Sequence, residues 1–218
     1  MKKKIRLLTF VICIWMIIGF NIEAMAANNA LAIQVNDDFG ELIKIIIEIK
    51  SKNPEKGNEE IETLIVRQVS MRRDSGVSNI WNSLTDTEKK LVIRYPLDAL
   101  KVNTAKNIAT TQTEKKFGYN GLGDRSDAFR HGMWNAEMVI LIGSEKAEMF
   151  ATAHEDKDIT GLEVDGHTKL EHKNMDIHNN AEGRIIGENN KTASEEQLAE
   201  IIYNAVYDEN TNFIWLNN

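Results

Sequence analysis

The 218-residue chain carries one cysteine, two prolines and 13 glycines. So little proline and glycine excludes a collagen-like or Pro-rich low-complexity chain. A single cysteine, Cys13, cannot build a disulfide framework. Excess positive charge is also missing: 26 Lys and Arg stand against 33 Asp and Glu, a formal net charge of -7. A chain of that balance lacks the basic surface that displaces counterions from a phosphate backbone, so no nucleic-acid partner is expected. There is no internal repeat and no strand-like alternation of useful length. No His-Glu-x-x-His, Gly-x-Ser-x-Gly, GxGxxG or Walker pattern occurs, which argues against a zincin, a typical serine lipase and nucleotide binding.

The N-terminus does hold one long apolar run. Lys2, Lys3, Lys4 and Arg6 precede the uncharged stretch from Leu7 to Phe20, and Ala24-Met25-Ala26 follows. This is the layout of a secretory signal peptide cleaved after Ala26, and the run is shorter than the roughly 20 residues of a spanning helix. Secretion without a permanent membrane anchor is therefore expected. Ile12 before Cys13, where a small residue is needed, argues against a lipoprotein. Cleavage removes four basic residues, Glu23 and the only cysteine, leaving 22 bases, 32 acids and a net charge of -10. Stability must then come from packing, or from packing plus metal.

The remainder reads as all-α, a compact multi-helix bundle of about six to eight helices: an N-terminal helical segment over 27–76 and a helical core domain over 77–218. Leu42, Ile45, Ile46 and Ile49 recur at helical spacing, as do Ile61, Leu64, Ile65 and Val69. Asp74-Ser75-Gly76 closes the second helix. Thr85 and Glu88 have capping-box spacing, and Pro96 interrupts or restarts the helix that follows. Ser126 or Asp127 caps a strong helix to Ile142, Gly143 closes it, and the next helix ends near His154. Residues 156–169 read as a polar loop before a helix from Leu170 to Ile186.

All five histidines lie between His131 and His178, among acids and amides at short spacing. Asp127, His131 and Asn135 form one helical stripe, with Arg130 beside it. A carboxylate, an imidazole and an amide in one stripe are costly to bury without partners. His154 extends the apolar stripe of Ala147, Phe150 and Ala151, so its ring should point inward, with Glu155 adjacent. Asp176, Asn180, Gly183 and Gly187 form a third stripe in a segment that also holds His178 and Asn179. Its glycines permit close approach of another backbone, whereas Asp and Asn prefer caps and turns to helix interiors. Local rules broken together point to a functional site.

Imidazole and carboxylate suit a divalent transition metal such as zinc or manganese. His131, His154, Asp176 and His178 are the expected ligands. Asp127, Arg130, His131, Glu155 and Asn135 are the expected catalytic group, and Arg130, Asn179 and Asn180 the substrate-binding one. Arg130 would hold a phosphate- or carboxylate-bearing substrate. His167 and His172, in or beside the polar loop, are expected to be bystanders. A calcium loop at Asp156, Asp158 and Thr160 is disfavoured because His167 stands where a Glu is needed.

The blocks Arg130-His131-x-x-Trp134-Asn135, His154-Glu155 and Met175-Asp176-x-His178-Asn179-Asn180, with the lead-in from Leu84, resemble an uncharacterised bacterial domain family found in secreted and toxin-associated proteins. That resemblance implies a polar site shared by the three blocks and names no reaction. The order His…His-acid…Asp is also similar to that of metal-dependent phosphohydrolases, with Glu155 where those have Asp. The expected activity is a metal-dependent hydrolase of phosphoester or other ester bonds. The other reading is a non-catalytic secreted binding domain whose polar cluster is a sealed structural network.

Overall fold

The computed structural model describes residues 37–72 and 76–217; the expected signal peptide and the Asp74-Ser75 turn lie outside them. Among the described residues there are nine α-helices and no strand: α1 Asp38–Lys52, α2 Asn58–Ser70, α3 Gly76–Ser83, α4 Asp86–Arg94, α5 Pro96–Phe117, α6 Arg125–Ile142, α7 Ser144–His154, α8 Lys169–Asn189 and α9 Glu195–Tyr207. The fold is all-α, with one helix more than the upper expectation. The extra one is α3, whose eight residues are too short to show a period. No helix among the described residues is long and apolar enough to cross a membrane.

Local sequence explains most boundaries. Thr85 caps α4, its hydroxyl accepting from the Glu88 N–H while Glu88 reaches back to the Thr85 N–H. Thr168 and Glu171 repeat the device at α8, and Ser194 and Gln197 at α9. Pro96 opens α5, where a missing N–H costs nothing. Asp124, not Ser126 or Asp127, caps α6: its Oδ1 accepts from the N–H groups of both residues. That leaves the Asp127 side chain free for the interior. Gly118 and Gly143 end α5 and α6 with φ of 81° and 82°, where a side chain would be strained.

α6 is the central helix, packed against α5, α7, α8 and α9. It is buried on nearly every side from Ser126 to Val139, as expected of a helix with no solvent face. α1 packs on α2, α3 and α5, and its Leu42, Ile43 and Ile46 join the same core as Phe129, Met133 and Ile202.

The tightest contact is between α6 and α8. A Cβ at Gly183 would lie 2.3 Å from the carbonyl oxygen of Gly132, and one at Gly187 would lie 2.8 Å from the Cα of Ala136. Backbone therefore meets backbone at two successive turns, which sets the short reach between side chains of the two helices.

Replacing Gly183 with Ala should cost at least the roughly 1–3 kcal/mol typical of overpacking, because the obstacle is backbone that cannot rotate away. Gly57→Ser is the contrast: Gly57 caps α2 with open space around it, and Ser is the better cap. Denaturant melts check this; a Gly183→Ala protein as stable as wild type would contradict the packing described.

Candidate functional site

Asp127, His131 and Asp176 converge between α6 and α8. The Nε2 of His131 lies 3.4 Å from Oδ1 of Asp127 and 3.3 Å from Oδ1 of Asp176. These three ligand atoms all sit within 4.8 Å of one another and form a group able to hold a metal ion. Asp127 is buried, His131 is 9% exposed, and the Asp176 side chain is 16% exposed.

The environment fixes the proton on His131. The Arg184 guanidinium only donates, so the atom of Asn135 that faces it at 3.0 Å must be the amide oxygen. The Asn135 amide nitrogen then donates to Oδ1 of Asn180, 2.6 Å away. That same oxygen lies 3.1 Å from Nδ1 of His131, so Nδ1 carries the hydrogen and donates. Burial lowers the pKa of His131, outweighing the pull of the Asp127 and Glu155 charges. The ring is therefore neutral, and its Nε2 lone pair faces two carboxylate oxygens. A metal-binding histidine needs this arrangement, its second nitrogen donating to an outer partner.

Three acceptor atoms then meet with no donor among them. The contact between Nε2 and Asp176 is close without being a hydrogen bond, and Oδ1 of Asp176 has no partner. Burial, reinforced by the Asp127 charge, raises the Asp176 pKa to about 7. A proton on Asp176 or a cation in the centre relieves the conflict. Atom separations of 3.3 and 3.4 Å fit a common cation, since tetrahedral bonds of about 2.0–2.1 Å place neighbouring ligand atoms about 3.3–3.4 Å apart.

The triad's other contacts are structural. Oδ2 of Asp127 accepts from the Gly123 N–H at 2.7 Å, and Oδ1 accepts from Arg130. Arg130 also donates to the Gly121 carbonyl at 3.1 Å. The loop from Gly118 to Asp124 thus orients both the carboxylate and the guanidinium. Glu155 is buried with Oε1 unpartnered, and its charge acts on His131.

His154 is not a member of the triad. Its Nδ1 is 2.9 Å from Oε1 of Glu88, and its Nε2 is 3.0 Å from Nζ of Lys157. Lysine donates to Nε2, so Nδ1–H donates to Glu88. Burial would raise the Glu88 pKa, but the His154 bond, the Thr85 N–H and Lys157 hold it below its usual value. Sequence reasoning placed Glu88 only in a capping box; its second oxygen makes a carboxylate–imidazole dyad. The Trp134 ring stands between the two histidines, edge-on to His131 at 6.5 Å and to His154 at 5.2 Å between centroids.

His178 is not brought to the triad either. It is exposed, and its Nε2 is 2.6 Å from the Asn212 carbonyl. One residue changes the helical angle by about 100°, so His178 and Asp176 leave α8 in different directions. Asn179, expected to touch substrate, is buried and grips the C-terminal segment: its amide nitrogen donates to the Ile214 carbonyl at 2.9 Å, and its oxygen accepts from the Ile214 N–H at 3.0 Å. Asn135 and Asn180 are spent on the relay that orients His131.

His172 is not the surface bystander expected. It is 5% exposed, and its Nε2 is 3.1 Å from Oδ1 of Asp165. Burial would raise the Asp165 pKa, but bonds from His172, Asn217 and the His167 N–H bring it to about 2. Asn217 also donates its backbone N–H to the Gly123 carbonyl at 2.9 Å. This cluster ties the polar loop and the C-terminus to the loop that holds Asp127.

Arg130, His131, Trp134, Glu88 and His154 border one cavity of about 370 Å³. The His131 side of the cluster is therefore open to a cleft and not sealed. No curated protein and no solved structure matches the chain. Residues 89–210, more than half of the chain, match the family described as Domain of unknown function (DUF6973), and the chain belongs to that family.

Proposed function

We propose that the protein is an exported, metal-dependent hydrolase of phosphoester or other ester bonds. The observation that carries this reading is the meeting of the His131 lone pair with the carboxylates of Asp127 and Asp176, none of the three donating to another, beside an open cavity. Those three residues would hold a divalent cation such as zinc or manganese. When bound, the cation supplies Lewis-acid polarisation and lowers the pKa of water. Arg130 binds an anionic group of the substrate: its two described hydrogen bonds leave three of its five N–H donors. Glu155, with an unpartnered buried oxygen, is the candidate base. His154, whose Nδ1–H is held by Glu88, is the candidate acid for the leaving group when its Nε2, which accepts from Lys157, is protonated.

The second reading, a non-catalytic binding domain, draws on the full pairing of Asn135 and Asn179. A sealed brace would not, however, leave carboxylate oxygens of both Asp176 and Glu155 without partners.

Calorimetric titration of chelator-stripped protein with zinc or manganese should show one site per chain. Affinity should rise with pH up to about 7, because the cation competes with the Asp176 proton. Asn180→Ala should weaken binding by about 10–100-fold, the usual effect of losing an outer partner of a metal-binding histidine. His131→Ala should abolish both binding and any metal-dependent cleavage of p-nitrophenyl phosphate, bis(p-nitrophenyl) phosphate or p-nitrophenyl acetate. Wild-type protein that takes up neither metal, or that cleaves equally well in chelator, would refute the reading.

A stability measurement separates site from brace. Asp176 binds a proton more tightly when folded than when unfolded, so its contribution to stability falls as pH rises from about 4 to about 7. Asp176→Asn removes that penalty. In chelator at pH 8 the variant should be more stable than wild type by more than about 1 kcal/mol, with the difference shrinking towards pH 4. A variant that melts below wild type at pH 8 would mark Asp176 as a structural brace.

A further inference from the structure

The cavity beside the triad is larger than a phosphate or a water cluster needs, and most of its wall is apolar. Phe39, Ile80, Leu84, Val92, Val102 and Phe150 line it, together with Trp134. Its volume of about 370 Å³ lies in the range of small-molecule sites, which surround an apolar body and fix its orientation with a few polar groups. The polar groups on the α6 side are the Arg130 cation and the neutral His131 ring, the Glu88–His154 dyad sits on the wall made by α4 and α7, and Asp37 and Lys106 also border the cavity. α5 supplies a stripe of small and medium residues, Ala99, Val102 and Ala109, which leave the space that larger side chains would fill. Val102 and Leu84 are intermediate in burial: each packs on the core with part of its surface and borders the cavity with the rest.

We infer that the cavity binds the apolar portion of an amphiphilic substrate, an ester or acid with an aliphatic or aromatic group, whose anionic head is held by Arg130 at the triad. This rests on the hydrolase reading for the identity of the head and extends it to the substrate's body. Phe39, Ile80 and Leu84 precede residue 89, so one wall of the cavity lies outside the matched family span. The helices before that span therefore take part in choosing the substrate.

Binding to chelator-treated full chain tests this without metal or turnover. The probes are decyl phosphate below its micelle concentration, methyl phosphate and decanol, read by tryptophan fluorescence and by calorimetry. Decyl phosphate should bind more than about 100-fold tighter than methyl phosphate, since each buried methylene raises affinity several-fold. Arg130→Gln should bring decyl phosphate close to decanol. Val102→Trp, which fills the cavity, should weaken decyl phosphate by more than about tenfold while leaving methyl phosphate unchanged. Leu84→Gln is the second variant should Val102→Trp fail to fold, and melts identify which variants are folded. Equal binding of decyl and methyl phosphate, no binding of either, or folded cavity variants that bind like wild type would overturn the proposal. The metal titration above is read separately. Amphiphile binding without metal binding keeps this site and removes the hydrolase reading, and the reverse result removes this site alone.

Discussion

The backbone-to-backbone approach of α6 and α8 is the constraint on which the site depends. Gly132 and Ala136 on one helix face Gly183 and Gly187 on the other, and no Cβ fits at Gly183. Held that close, short side chains reach across: Asn135 meets Asn180, and Asp176 meets His131. A larger residue at either glycine would separate the helices and break contacts of about 3 Å that tolerate little stretching. The loop from Gly118 to Asp124 completes the site by fixing Asp127 and Arg130. That loop is in turn held by the C-terminal segment through Leu216 and Asn217.

Electrostatics make the same region costly. Asp127, Asp176 and Glu155 bring three carboxylates near one neutral imidazole, with Arg130 the cation in direct contact with Asp127. Burial pushes the Asp176 pKa to about 7, and at this site Oδ1 of Asp176 and Oε1 of Glu155 stay unpartnered. A fold selected only for stability would replace such groups or pair them. Groups kept at a cost to stability and open to a cavity are the usual mark of a site that meets a ligand.

Much of this was legible in the sequence. The all-α class followed from periodicity, and the capping boxes at Thr85 and the glycine stripe of α8 were visible as spacing. Asp127, His131, Asn135, Asp176 and Asn180 were recognisable because polar residues at helical spacing in a buried run have no structural excuse. What spacing could not supply was direction and partner. His178 and Asn179 adjoin the triad in sequence, yet the helical angle turns them to the C-terminal segment. His172 looked like a bystander beside the polar loop because spacing does not show that Asp165, within that loop, folds back onto its ring. Glu88 was hidden because a capping box already explained it. The cavity was hidden because α5 packs on α6 with one face and borders open space with another, which leaves its sequence weakly amphipathic.

The Arg184–Asn135–Asn180 relay gives His131 a single tautomer, with the proton on Nδ1 and the Nε2 lone pair aimed at two carboxylates. Two-bond proton–nitrogen correlation spectra of protein carrying ¹⁵N-labelled histidine report this directly. At pH 7.5 in chelator, His131 should show a protonated Nδ1 and a bare Nε2, and adding zinc should shift Nε2 while Nδ1 keeps its proton. A proton resident on Nε2, or a His131 ring unchanged by saturating zinc, would contradict the account.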